Sequence, residues 1–352
     1  MIARSLSRIL ACSVAWVSTG CAAGMPEPAA PLTPPTRICT EAQPSSGCRA
    51  ASVIEAALRA PELVLLGAAE TPQGRQGARI LTLALPAESG KLVFRAKWRA
   101  HSTLSSLNDP RRELGAYAVQ RLFLEPHEYV VPPSVGRCFD LAEYQRRVDP
   151  AGRATFAGID CVFGVLSYWL EDGRDLDAAE DAGWLSSDQR AFDAAWFRRS
   201  ASYRDSASDL NVLTFLIEHG DSHPDQFIVG GSPELPRLYC VDNSLSFGSF
   251  RNPTVDEDWS RLLVPSIRLT TAQRLRQLTP EQLSSLAVIE QYRAVDGSLV
   301  HGAAGAAVNA GQALRWAGRE LQVGLTRAEI ARVSSRLRAL TSRVTTGRLA
   351  TH

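Results

Sequence analysis

The sequence predicts an α+β fold with a β-rich first part and a larger helical second part. Three observations predict it. β-type runs crowd the stretch from Leu63 to Leu170. Helical spacing dominates from residue 174 onward. Within that second part, Asp209 to Phe247 reads as an apolar helix, a polar knot and a tight hairpin, with one acid in the knot and another at the hairpin's end.

At 352 residues the chain is long enough for one large or two modest hydrophobic cores. A net charge of +1 argues against a general nucleic-acid binder and against a polybasic membrane-surface protein. Arg4 and Arg8, followed by the apolar run Ile9 to Val17, read as a targeting segment over residues 1–20. Ser18-Thr19-Gly20-Cys21 resembles the lipobox of bacterial lipoproteins, which implies lipid on Cys21 and a place in the bacterial cell envelope, on its periplasmic or extracellular face. An ordinary secretory signal is the competing reading, and both give an exported protein. No later stretch is long and apolar enough to span a bilayer. Residues 21–50, rich in Pro, Ala, Ser and Thr, read as a tether.

Export changes how cysteines are read. Cys39 and Cys48 flank a short loop and are placed to close it. Cys138 and Cys161 lie in two β-type runs that can be neighbours, which leaves Cys240 as a buried free thiol. The sequence itself does not fix this connectivity.

Ser52 to Ala60 reads as a short helix, with Ser52 as cap and Glu55 three residues on. β-type runs follow at Leu63 to Leu66, Ile80 to Leu85 and Leu92 to Trp98. Gly74 and Gly77 lie in the loop between the first two. Backbone amides in such a turn can approach phosphates, although the spacing is not a strict G-x-G-x-x-G and an ordinary hairpin loop competes. The chain holds two lysines. Lys91, beside Gly90, reads as an exposed turn residue, whereas Lys97 alternates with apolar neighbours. Asn108-Asp109-Pro110 opens a helix over Arg111 to Phe123, with Glu113 in its first turn. Arg137 to Leu141 and Cys161 to Leu170 read as two more strands, the second ending at Glu171-Asp172-Gly173.

The polar knot reads His219-Gly220-Asp221-Ser222-His223-Pro224-Asp225-Gln226, and the hairpin after it ends on Asp242-Asn243. Phosphoryl-transfer enzymes use such an order: one Asp aims the acceptor hydroxyl, an amide five residues on helps hold a metal, and a second Asp binds Mg²⁺. The knot resembles the D-R-H-x-x-N catalytic loop of the atypical kinases, namely the phosphatidylinositol-kinase family, the HipA-like kinases and the secreted Golgi kinases. Val241-Asp242-Asn243-Ser244-Leu245-Ser246-Phe247 resembles their IDxGxxF segment, and Tyr129 to Val135 resembles their "vPpt" segment. Ser222 stands where the family has Arg, and Gln226 where it usually has Asn.

The resemblance covers about residues 60–290. It implies a two-lobed protein-kinase-like fold, with a small β-rich N-lobe over 51–171 and a larger helical C-lobe over 172–300. It implies Asp221 as catalytic base, Asp242 and Gln226 as metal ligands, and a Lys97–Glu113 ion pair that positions phosphates. Gly74, Gly77, Leu170 and Glu171 would meet the nucleotide, ATP or another, bound with Mg or Mn. The acceptor is a protein, a lipid head group, a sugar or another small molecule.

Beyond Phe247, the spacing predicts helices over Trp259 to Ile267, Thr271 to Leu278 and Pro280 to Tyr292. Two extra C-terminal helices are expected over Ala303 to Val323 and Thr326 to Val344, within a segment spanning 301–352. Two other functions compete. One is a catalytically impaired kinase-like binding module, favoured by Ser222 and the weak glycine loop. The other is a metal-dependent hydrolase using His219, Asp221, His223 and Asp225, with Gly220-Asp221-Ser222 as an esterase-like variant of it.

Overall fold

The structure, a computed structural model, describes residues 37–40, 48–71, 77–87, 90–101, 108–171, 173–185, 190–253 and 257–352. The targeting segment, Cys21, most of the tether and Gly74 lie outside the described residues.

A five-stranded antiparallel sheet forms the first half: β1 (Val64–Glu70), β2 (Arg79–Ala87), β3 (Gly90–Ala100), β4 (Ser134–Asp140) and β5 (Cys161–Tyr168), in the order β1-β2-β3-β5-β4. The period of two along β3 divides its side chains between faces. Phe94, Ala96 and Trp98 are buried in a core shared with Leu58 of α1 (Ala51–Arg59), Leu81 and Leu83 of β2, and Leu166 of β5. Arg95, Lys97 and Arg99 therefore emerge together on the opposite face. Both expected disulfides form: Cys39–Cys48, and Cys138–Cys161 across the β4–β5 pair. Cys240 is free and buried.

Helix α2 (Arg111–Gln120) crosses from this sheet to the helical half. That half contains α4 (Leu176–Asp181), α5 (Ala194–Arg199), α6 (Ala201–Leu216), α7 (Leu269–Gln277) and α8 (Pro280–Ser285); α3 (Leu141–Arg147) packs on the sheet. Helix α6 is buried all round along its second half, where Leu210, Val212, Leu213, Phe215 and Leu216 alternate with the buried polar residues Asp209, Asn211 and Thr214. Ser200 caps its start by accepting from the Tyr203 amide. Its end is set by Glu218, whose φ of 51° is left-handed, and by His219, whose amide returns to the Thr214 carbonyl at 3.0 Å. The hairpin follows as β6 (Phe227–Gly231) and β7 (Pro236–Cys240), with Phe227 opposite Cys240. Two backbone bonds stitch it to the end of the sheet half: the Arg174 amide donates to Val229 at 2.9 Å and the Val229 amide returns at 2.8 Å.

The C-terminal region departs from expectation. Helix α8 stops at Ser285, no helix forms over Trp259 to Ile267, and Ala303 to Val323 is not helical. Instead β8 (Glu290–Val295), β9 (Ser298–Gly302), β10 (Leu314–Ala317) and β11 (Glu320–Val323) form an antiparallel sheet in the order β9-β8-β11-β10. The reason is turn chemistry. Asp296-Gly297 joins β8 to β9 with φ of 46° and 77°, positive at both central residues, as two-residue hairpin turns demand. Gly318, at φ 60°, opens the next turn. Alanine content suggests helix here, and strand pairing overrides it. Helix α7 fulfils the expectation over Thr271 to Leu278, and α9 (Arg327–Thr345) the one over Thr326 to Val344, with Val333, Leu337 and Leu340 in the helical core.

This small sheet rests on the main one. Tyr292, Leu321 and Val323 pack with Leu114, Phe163 and Val165. The buried Glu290 carboxylate accepts from the Gly136 amide at 2.8 Å and from Arg59 at 2.7 Å.

Candidate active site

The three basic residues on the outer face of β3 meet Glu171, at the end of the sheet half, and Asp242 and Ser244 from the helical half. Arg95 donates to both oxygens of Glu171, at 3.0 Å each from its Nε. Lys97 Nζ lies 2.9 Å from Asp242 Oδ2. Arg99 donates to Ser244 Oγ at 3.1 Å and lies 3.8 Å from Asp242 Oδ1. An R-x-K-x-R strand thus faces the segment that follows the hairpin.

Asp242 sits at φ 60°, ψ 53°, a left-handed conformation that a non-glycine residue adopts at a cost. Phe247, five residues later, also has a positive φ of 61°. Burial opposes ionisation of Asp242, but the Lys97 ammonium and the Arg99 guanidinium outweigh it and hold the carboxyl down at about 2. The side chain is still 38% exposed, so an ion can reach it.

The expected Lys97–Glu113 ion pair is not what forms. Lys97 pairs with Asp242, while Glu113 is buried on α2 and accepts from Asn243 Nδ2 at 3.4 Å. Burial pushes the Glu113 carboxyl up to about 6. The nearby Lys97 charge opposes this and the Asp242 charge adds to it. A carboxylate that resists ionising is a poor competitor for the ammonium, and Asp242 wins it. Glu113 Oε1 is buried with no hydrogen-bond partner.

Asp221 has different company. Its Oδ2 accepts from Gln226 Nε2 at 2.7 Å, and its Oδ1 from Asn252 Nδ2 at 2.9 Å, with His223 Nε2 at 3.6 Å. Gly220 lets the loop pass here. A Cβ on it would collide with the carbonyls of Leu245 and Phe250, whereas its own amide donates to Leu245 at 3.0 Å and its carbonyl accepts from Asn252 at 2.7 Å. Ser222, in the position where Arg was expected, is buried and accepts from the Trp259 amide at 3.2 Å.

Gln226 links Asp221 to the backbone just before Asp242. Its nitrogen is committed to Asp221, its backbone carbonyl accepts from the Val241 amide at 2.9 Å, and its side-chain Oε1 is buried without a partner. That orphaned oxygen is the observation that fits a cation. Among the described residues no three His, Cys, Asp or Glu side chains converge as a metal cluster. Mg²⁺ held by one or two protein oxygens and completed by phosphate needs no such cluster.

Of the nucleotide contacts expected, Gly77 lies at the start of β2 with φ 73° and open space around it. The Glu171 carboxylate is held by Arg95 and ties the end of the sheet half to β3, so a ligand at this point would meet its backbone. Leu170 packs against the sheet core, which leaves only backbone at this point for a ligand. The hydrolase cluster is a correction. His219 is buried with its Nε2 3.5 Å from Cys240 Sγ, and burial pushes its imidazole down to about 4. Sequence reasoning missed Arg99, Asn243 and Asn252. The period-two basic residues of β3 pointed to Arg99, and Asn243 lay beside Asp242 unremarked. Asn252 has no local signal, because only the crossing at Gly220 brings it to Asp221.

No known protein family matches the sequence, and no curated protein does either. Among solved structures, the chain is similar to a hydra Fam20 determined with sugar, at TM-score 0.46 and 15% identity over 83% of this chain and 87% of that one. A Golgi casein kinase gives TM-score 0.42 and 12% identity over 80% and 73%. A Golgi casein kinase with Mn/ADP bound gives 0.45 and 13% over 83% and 74%. Likenesses this distant leave the functional reading to the geometry of Lys97, Asp242, Gln226 and Asp221.

Proposed function

We propose that the protein is a kinase-like phosphotransferase that moves a phosphoryl group from a metal-bound nucleotide to an acceptor hydroxyl. The observation that carries this reading is the Lys97–Asp242 pair at 2.9 Å, which joins the sheet half to the post-hairpin segment with Asp221 and Gln226 alongside. Phosphoryl transfer is mostly positioning and charge neutralisation, and this set supplies both. Lys97 and Arg99 offer cations to phosphate oxygens. Asp242 and Gln226 Oε1 would hold a divalent cation, Mg or Mn, which when bound neutralises phosphate charge. Asp221, aimed by two amides, accepts the proton of the acceptor hydroxyl. The role of Glu113 is to keep a second carboxyl beside Lys97 and Asp242, buried and slow to ionise.

The same reading places the chain in the bacterial envelope, anchored through lipid on Cys21. The two disulfides support an oxidising compartment. The catalytically impaired binding module is the second reading, and Ser222 in place of Arg favours it. Equilibrium binding of ATP and ADP to the purified protein, with Mg²⁺, with Mn²⁺ and with chelator, tests the proposal. Metal-dependent binding with transfer or slow hydrolysis is expected. Metal-dependent binding without turnover selects the impaired module, and no nucleotide binding under any condition ends both readings.

A further inference from the structure

Behind the loop that carries Asp221 lies a cavity of about 430 Å³, within the range of roughly 300–1,000 Å³ typical of small-molecule sites. Four arginines line it: Arg251, Arg261, Arg336 and Arg343. Arg336 is rigidly held. Its Nε donates to the Phe215 carbonyl and its Nη2 to the Ser260 carbonyl, and its guanidinium lies 4.2 Å from the Phe215 ring. Those partners are neutral. Arg251 and Arg261 share a single carboxylate, Asp258, the second at 3.0 Å. The acid in the lining, Glu218, is drawn toward Arg332 at 3.3 Å. Among the described residues, five guanidinium groups are thus answered by two carboxylates. Burial lowers the proton affinity of Arg336, as expected for a cation short of counter-charge.

We propose that this cavity is an anion site for a phosphate-class oxyanion, either free phosphate or the phosphate of a monoester. Planar guanidinium groups pair with such oxygens two at a time, and a group already fixed by carbonyls loses little freedom in doing so. The site has a route to the chemistry. Gly220 and Phe250 line the cavity, the residue after Gly220 is Asp221, and Asn252, next to Arg251, holds Asp221 Oδ1. An anion on Arg251 braces the segment that aims the carboxylate. The site stands on its own residues and does not require the phosphotransferase reading.

The test is equilibrium binding and thermal shift with inorganic phosphate and with glycerol 3-phosphate, against chloride at equal ionic strength. Wild type, Arg336→Gln, Arg343→Gln and Arg251→Gln are compared with Arg293→Gln, an exposed arginine elsewhere. Phosphate should stabilise wild type and the Arg293 variant alike. Each cavity variant should bind about tenfold more weakly. Arg343 is exposed and makes no structural bond that its loss would break, so it keeps the test alive if Arg336→Gln fails to fold. Equal binding of both ligands indicates a free-ion site; preference for the ester indicates a phosphorylated molecule. Stabilisation no greater than chloride gives, or wild-type binding by both Arg343→Gln and Arg251→Gln, overturns the proposal.

Discussion

Asp221 and Asp242 are chemically the same residue, one in the loop before the hairpin and one in the segment after it. Asp242 is surrounded by cations, Lys97 at 2.9 Å and Arg99 at 3.8 Å, and is fixed in its charged form. Asp221 is held by two neutral amides, from Gln226 and Asn252. The two amides fix the orientation of the Asp221 carboxylate without bringing a cation to it. For the proposed phosphotransferase the contrast predicts a division of labour, with Asp242 as the anchor for positive charge and Asp221 as the oriented acceptor of a proton.

The comparison can be broken most forcefully at the two acids. Asp221→Asn should lower turnover about 10³-fold with little change in nucleotide affinity. Asp242→Asn should weaken metal-dependent nucleotide binding about 10²-fold. Paired measurement of kcat and Kd decides; equal loss in both quantities for both variants would erase the division.

Gln226 sharpens the comparison, because its side chain holds Asp221 while its backbone carbonyl accepts from Val241, the residue before Asp242. Asn has the shorter arm and loses the 2.7 Å bond to Asp221. Gln226→Asn should therefore reduce turnover about tenfold, although Asn is the usual residue of the resembling kinases. A gain in turnover would show that the bond to Asp221 is incidental.

Glu113 adds a dependence on pH. Its carboxyl ionises near 4.5 in the unfolded chain and at about 6 in the folded protein. Between those values the folded state binds the extra proton, so this residue's contribution to stability falls as pH rises and is fully lost above 6. Glu113→Gln should be more stable than wild type at pH 7, relative to their difference at pH 4, by on the order of 1–2 kcal/mol. Urea titrations at the two pH values measure it, and an unchanged difference refutes the raised proton affinity.

The smallest effect is expected at Glu329, which reaches the Asp242 side alone. It accepts from Arg111 at 2.8 and 2.9 Å and from Arg112 at 3.3 Å, and Arg112 in turn donates to the Ser244 carbonyl at 3.2 Å. Glu329→Gln should weaken metal-nucleotide binding about fivefold and leave the pH profile of turnover in place. A shifted profile would mean that the two acids are not separately supported.

Much of this was legible in the sequence, and the reason is locality. The knot at Asp221, the hairpin, the acid at Asp242 and the strand bearing Lys97 all follow from period and turn residues within short windows. The C-terminal region differs from expectation because Asp296-Gly297 and Gly318, with positive φ, fix two hairpins where helices are expected. The partner of Lys97 was misjudged for another reason. Sequence order places Glu113 correctly on a helix near the lysine, but only packing shows how deeply it is buried, and burial decides which carboxylate takes the ammonium. Asn252 illustrates the limit, since its place beside Asp221 depends on two backbone segments crossing at Gly220.

The sheet half and the helical half are joined at more than one point. The backbone pair Arg174–Val229 ties them on one side. On another, α9 is rooted in the helical core through Val333, Leu337 and Leu340, and its Glu329 grips Arg111 and Arg112 at the head of α2. The strands that lead into α9 lean on β5 and, through Glu290, on β4. A door hung on one hinge swings; fastened also at its free edge, it only flexes. The two halves form a braced frame, and a wide opening would have to strip buried charges from Glu329 before it gained any width. For the proposed phosphotransferase this frame predicts that a ligand is admitted by the loops and side chains at the rim, with the spacing between Lys97 and Asp242 nearly unchanged.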